Sequence, residues 1–138
     1  MTTVYKTGAW DVLHIGHLNA LEFSAQIGDI LVVGVATDEY INERKGHLPA
    51  MPYHERARLV GALHVVDAVI PYNGPEDMIP VVTFGVTVKV VDPDYCVGNG
   101  EHAQRQARAR KLLEAEGVQI VYLPRTPHIS STELKEKK

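Results

Sequence analysis

Two histidines three residues apart, His14 and His17, stand in the string Gly8-Ala9-Trp10-Asp11-Val12-Leu13-His14-Ile15-Gly16-His17. The residues before the string alternate in polarity and read as a strand. Those after it carry apolar residues at helical spacing, so the string is a strand–loop–helix junction. At a helix start, residues three apart share one face, and Gly16 between them allows close backbone approach. The unpaired N–H groups and partial positive charge of a helix N-terminus add to the two imidazoles. The sum is an anion site with two extra donors, suited to phosphates rather than to a carbonyl. Two plainer readings stand beside it. A helix-start histidine taken alone is an ordinary residue. A zinc site needs further ligands, and the only cysteine, Cys96, is remote, so no metal ligand is assigned.

The elements that must position these groups follow from periodicity. Thr3 to Thr7 predicts a first strand ending at Gly8, and Leu18 to Ile27 a helix, with Gly28 as its left-handed C-terminal residue. Ile30 to Ala36 is continuously apolar and β-branched, as a strand buried on both faces of a parallel sheet requires. A polar loop is expected from Thr37 to Pro52, then a helix from Tyr53 to Leu63 with Leu59, Val60 and Leu63 on its apolar face. Asp67 to Pro71 predicts a strand, Pro75 to Phe84 a helix, and Thr87 to Val91 a further buried strand. Glu101 to Glu116, closed by Gly117, is the clearest helix, and Val118 to Leu123 is the last strand. Ser130 to Glu133 offers a cap for a short C-terminal helix. Strands alternating with helices imply a parallel sheet covered on both faces, with ligands bound beyond the carboxyl ends of its strands.

Composition limits the classes available. At 138 residues, one domain spanning 1–138 is expected. A net charge of −3 offers no strongly basic face for nucleic acid. One cysteine excludes an internal disulfide framework, no apolar stretch is long enough to span a bilayer, and no signal peptide is visible. A cytoplasmic protein without a membrane partner is the expectation. The G-x-G-x-x-A match at Gly98 to Ala103 lacks the acidic residue that should end the next strand, so a dinucleotide site is set aside.

With its two histidines at a strand–loop–helix junction, the first string resembles the HxGH signature of the nucleotidyltransferase superfamily, in its cytidylyltransferase-like branch. The likeness covers nearly the whole chain and is nearest to the small bacterial glycerol-3-phosphate cytidylyltransferases. Gly28-Asp29, the following strand and Ala36-Thr37-Asp38-Glu39 match that family's second strand and loop. Tyr53 and Arg56 align without gaps through Val66-Asp67, and Arg125-Thr126-Pro127-His128-Ile129-Ser130-Ser131-Thr132 resembles the family's second phosphate-binding motif.

The resemblance implies an α/β fold, a Rossmann-like doubly wound parallel five-stranded sheet in a single domain. It implies transfer of CMP from CTP to a small phosphorylated alcohol such as glycerol 3-phosphate, with release of pyrophosphate. His14 and His17 would bind phosphates and stabilise charge in the transition state. Lys45 would contact the α-phosphate or the acceptor phosphate, or else be a solvated loop lysine. Arg56 would be a further cation. Arg125, Thr126, Ile129, Ser130, Ser131 and Thr132 would form the other wall of the triphosphate site, with Gly8, Ala9, Trp10, Asp11 and Gly16 in the first loop. Mg²⁺ would come with the triphosphate, and Asp11 and Asp94 either tune that site or are structural. A homodimer is also implied, with Tyr53, Val65 and Ile70 as exposed candidates for pairing.

Departures from the pattern bear on the substrates. Ala9 and Trp10 replace a small hydroxyl residue and Phe, and His128 replaces Gly. Asp92-Pro93-Asp94-Tyr95 replaces Gly-Asp-Asp-Trp and opens onto a longer segment, 95–117. Gly61 to Asp67 is similar to the heptose-phosphate adenylyltransferase branch, which uses ATP. The alternatives are therefore an ATP-dependent relative acting on a sugar phosphate or flavin mononucleotide, and a catalytically silent nucleotide-binding module. His47, His54 and His102 are expected at the surface.

Overall fold

Side chains alternate across a strand, and the first strand already sends Val4 to one face and Tyr5 to the other. The computed structural model describes residues 1–124. β1 (Thr3–Gly8), β2 (Ile30–Ala36), β3 (Ala68–Tyr72), β4 (Val88–Val91) and β5 (Gln119–Tyr122) form one sheet in the order β3-β2-β1-β4-β5. Every neighbouring pair is parallel. α1 (Ile15–Ala25), α2 (Asp38–Lys45), α3 (Tyr53–Gly61), α4 (Ile79–Phe84) and α5 (Glu101–Ala115) lie in the crossovers. Val4, Val33, Val35 and Val90 pack with Leu21 of α1 and Val60 of α3. On the opposite face Tyr5 and Val32 pack with Val81 of α4 and Leu113 of α5. Covering both faces is what makes β2 apolar at nearly every position, and each fully buried Val or Leu contributes roughly 1.5–3 kcal/mol. The architecture is the expected Rossmann-like, doubly wound α/β sheet.

Strand order reverses at β1. The chain runs outward through β2 and β3, then crosses to β4 and β5 on the other side. The crevice beyond the carboxyl ends of β1 and β4 is where such sheets bind ligands. At the opposite edge, Asp67 accepts the Leu31 N–H at 2.8 Å and returns its own N–H to Leu31 O, tying the start of β2 to the turn before β3.

Several boundaries differ from expectation. α1 begins at Ile15, three residues early, and ends at Ala25 with Gln26 as a right-handed cap. Gly28 is therefore no left-handed terminus. A Cβ there would lie 2.7–2.8 Å from atoms of Thr2 and Val4, so the glycine permits close contact with β1. The expected loop over 37–52 contains α2. Thr37 caps it by accepting the Tyr40 N–H at 3.1 Å, Asp38 and Glu39 open it, and Gly46 closes it at φ 79°. α3 turns Val60 inward while Leu59 stays 44% exposed. α4 starts at Ile79 with Pro80 in its first turn, leaving Pro75 outside. Tyr53, Val65 and Ile70 are half-buried against the two cores rather than freely exposed. Arg125, Thr126, Ile129, Ser130, Ser131 and Thr132 lie outside the described residues.

Candidate active site

The loop from β1 to α1 is built under strain. Trp10 and Val12 adopt left-handed backbone at φ 55° and 54°. That conformation is unusual for any side chain and most costly for a β-branched one, of order 1–3 kcal/mol. Three anchors hold it. Trp10 is buried and donates its Nε1–H to Gly34 O at 3.0 Å. The Asp11 carboxylate accepts the Ala50 and Met51 N–H groups at 2.8 and 3.0 Å. Desolvation pushes the Asp11 carboxyl up, but those two hydrogen bonds, with Arg56 and Lys45 beyond, hold it below its ordinary value. Arg56 donates to Ala9 O at 2.6 Å, to Met51 O at 2.8 Å and to Asp38 at 2.7 Å.

Those anchors deliver His14 as the N-cap of α1. Its Nδ1 accepts the Gly16 N–H at 3.1 Å, and His17 Nδ1 accepts the His14 N–H at 3.2 Å. The pair forms a reciprocal capping box made entirely of imidazoles. Gly16 is required by this geometry. A Cβ there would lie 2.9 Å from His14 Cε1, so the glycine makes room for the His14 ring itself. The two rings stack at 3.9 Å, and the Trp10 ring meets His17 edge-on at 5.5 Å.

The capping bonds fix the chemistry. A nitrogen that accepts an N–H carries no proton, so each neutral ring holds its proton on Nε2. Two Nε2–H donors are thus presented side by side, beside the N–H groups of a helix start. Burial, then the charges of His14 and Lys6, lower the His17 pKa from its ordinary 6.5, against the opposing pull of Asp92. Nitrogen NMR of the imidazoles should show His17 neutral and Nε2-protonated at pH 7, with a midpoint below 6.5. The sign for stability follows. Between the lowered folded value and 6.5 the unfolded chain binds a proton that the folded chain does not. The contribution is full above that window and is lost as pH falls through the folded pKa. A midpoint at or above 6.5 would contradict the capping geometry.

An open cleft of about 470 Å³ runs along these groups, within the roughly 300–1,000 Å³ of ligand sites. The structure brings Gly8, Ala9, Trp10, Asp11, His14, Gly16, His17 and Lys45 to its walls. Lys45 is the last residue of α2, not a loop residue, and it also lines an adjoining hollow that holds Asp94. Arg56 does not line the cleft. It is fully buried behind the loop, with its guanidinium committed to Ala9, Met51 and Asp38, so its expected role as a cation for the ligand is corrected to a structural one. Asp11 is likewise tied to the segment before α3.

Lys6, Lys89, Asp92 and His102 also stand at the cleft or its adjoining hollows, where the sequence alone assigns them no role. Lys6 and Lys89 are each only 4% exposed, and Lys6 pairs with Asp92 at 3.1 Å in the cleft. The signal was present, since a lysine inside an apolar, β-branched strand is out of place unless the strand ends at a site. His102 lines the hollow beside Arg44 and Lys45 instead of standing at an unrelated surface. Among the described residues, no group of three or more His, Cys, Asp or Glu is arranged to hold a metal ion. No helix there is long and apolar enough to cross a membrane.

Residues 5–137 match the cytidylyltransferase-like family. The chain belongs to that family. The cytidylyltransferase-like family makes it a nucleotidyltransferase domain, as the two-histidine loop suggested. The chain is 33% identical to a glycerol-3-phosphate cytidylyltransferase of Bacillus subtilis, over 99% of this chain and 97% of that one. It is 30% identical to the bifunctional protein HldE of Desulfatibacillum aliphaticivorans over 95% of its own length, but spans only 26% of that relative. Among solved structures, a lipopolysaccharide core biosynthesis protein of Thermoplasma volcanium superposes with a TM-score of 0.70 at 30% identity. That match covers 91% of this chain and 98% of the other.

Proposed function

We infer that the chain transfers CMP from CTP to a small phosphorylated alcohol of the glycerol 3-phosphate kind, releasing pyrophosphate. The observation that carries this reading is the stacked His14–His17 pair at a helix start, with both Nδ1 atoms occupied by the cap and both residues on the wall of the cleft. The near end-to-end match with a glycerol-3-phosphate cytidylyltransferase favours CTP and that acceptor class.

A phosphate oxygen of the acceptor attacks the α-phosphorus in line. One P–O bond forms, the bond to the β-phosphate oxygen breaks, and pyrophosphate leaves with the electron pair. No covalent enzyme intermediate is required, so the protein's part is positioning and charge stabilisation. His14 and His17 donate to oxygens whose charge grows as the bond breaks. Lys45 stands between the histidine cleft and the adjoining hollow, where it neutralises the α-phosphate or the incoming acceptor phosphate. Arg125 and the hydroxyls of Ser130 to Thr132 are assigned to the β- and γ-phosphates on the motif resemblance alone. Mg²⁺ fits as an ion held mainly by phosphate oxygens and water, with Asp94 as an exposed carboxylate on the hollow's wall. When bound, it offsets triphosphate charge.

Pyrophosphate release with CTP and with ATP, each against a panel of phosphorylated acceptors, tests the reading. Turnover with CTP and a phosphorylated alcohol is the expected result. Turnover with ATP alone would replace it with the adenylyltransferase reading, which the resemblance of 61–67 to the heptose-phosphate branch favours. Micromolar CTP binding without turnover of any acceptor would leave a nucleotide-binding module.

A further inference from the structure

Lys89 is a cation that the transfer chemistry above does not use. It sits in β4 between Val88 and Val90 and is 4% exposed. Its Nζ lies 5.6 Å from the Tyr5 ring centre and 5.7 Å from that of Tyr72. Among the described residues, no ion pair or hydrogen bond is made by this ammonium. The lysine across the strand boundary does have a carboxylate, since Lys6 holds Asp92 at 3.1 Å. Burial first, and then the like charge of Lys6, push Lys89 down to about 8. The ammonium lies against two aromatic rings and bonds to no carboxylate among the described residues, while Asp92 and Asp94 stand on the wall of the space before it. A buried cation held so is costly.

The space in front of Lys89 supplies a reason for that cost. A chamber of about 50 Å³ opens there, walled by Lys6, Tyr72, Asp92, Asp94, Tyr95 and Gln106, with Asp92 already paired to Lys6. It holds a carboxylate-sized group but neither a sugar nor a base. Gln106 keeps its Oε1 on the Cys96 N–H at 2.9 Å, so its Nε2 donors are without a partner among the described residues. The chamber shares Lys6 and Asp92 with the histidine cleft, and Tyr72, Asp94 and Gln106 with the hollow beside Lys45. It is therefore a side pocket of the site, reached from the place where an acceptor would lie.

The geometry points to a second anion subsite, in which Lys89 pairs with a carboxylate carried by the acceptor at the end opposite its attacking phosphate. The phosphorylated alcohol then carries a carboxylate as well, which makes the acceptor a phosphorylated hydroxy acid. This inference rests on the nucleotidyl-transfer reading above.

Two acceptors of equal carbon number test it. 3-Phosphoglycerate and glycerol 3-phosphate differ in a carboxylate against a hydroxymethyl group. The wild type should show a KM at least tenfold lower for 3-phosphoglycerate. Lys89→Met, similar in volume and uncharged, should remove that preference by raising the 3-phosphoglycerate KM at least tenfold. Its kcat and its KM for CTP should stay within about twofold, and its melting temperature should be equal to or above that of the wild type. Calorimetric titration of 3-phosphoglycerate without nucleotide reads the same subsite independently of turnover, and Lys89→Met should weaken that binding at least tenfold. If neither acceptor is turned over with CTP or ATP, the transfer reading fails while the calorimetry still decides the subsite. Equal KM values for the two acceptors in the wild type, or a Lys89→Met effect confined to the CTP KM, would overturn the subsite.

Discussion

Replacing His14 by asparagine should lower turnover by about 10²–10³-fold with little change in melting temperature. The asparagine side-chain oxygen can accept the Gly16 N–H that His14 Nδ1 now accepts at 3.1 Å, so α1 keeps a good N-cap. What disappears is the Nε2–H donor and the ring stacked on His17 at 3.9 Å. A donor aimed at growing charge is commonly worth two to three orders of magnitude in rate, roughly 2.7–4 kcal/mol. His14→Ala is the companion variant, because it removes the cap as well and adds a stability loss of about 1 kcal/mol. Pyrophosphate release and a thermal melt on both variants separate the roles. Turnover of His14→Asn within a few-fold of wild type would remove the histidine from the chemistry and leave it only a cap.

Arg56→Met should destabilise the fold by about 3–5 kcal/mol, a large share of the roughly 5–15 kcal/mol that holds a domain together. The guanidinium is fully buried, with its donors fixed at 2.6–2.8 Å on Ala9 O, Met51 O and Asp38. Methionine fills much of the volume but leaves two carbonyls and a carboxylate without their donors. Arg56→Lys should recover little, since one ammonium cannot reach three acceptors set around a planar fork. Denaturant unfolding reads the loss as a lower midpoint at unchanged slope. A stable Arg56→Met protein whose defect is instead a raised KM for CTP would return the arginine to the phosphates.

The contrast between these residues shows what a sequence carries. The strands were legible because burial on both faces forces continuous apolar, β-branched runs such as Ile30 to Ala36. The apolar period marks α1 only from Leu18, three residues late, because its cap is a histidine and imidazole is not among the usual capping side chains. α2 is hidden in the sequence because eight mostly polar residues give no apolar period, although Thr37, the acidic first turn, the basic last turn and Gly46 mark its ends.

The doubly wound sheet and the histidine pair at the first strand–helix junction are legible along the chain, because they depend on local spacing and on which faces are apolar. The family came from the likeness of whole motifs, not from that spacing. Only the tertiary structure decided which cations are free to meet a ligand. Arg56 and Lys45 are both basic residues near the same loop, but one is enclosed by three acceptors from separate segments and the other lines the cleft. Lys6 and Lys89 look like strand interruptions until β1 and β4 are paired across the switch point, which turns one toward Asp92 and the other toward the chamber. A charge acts through what surrounds it, and those surroundings come from residues far apart in the chain.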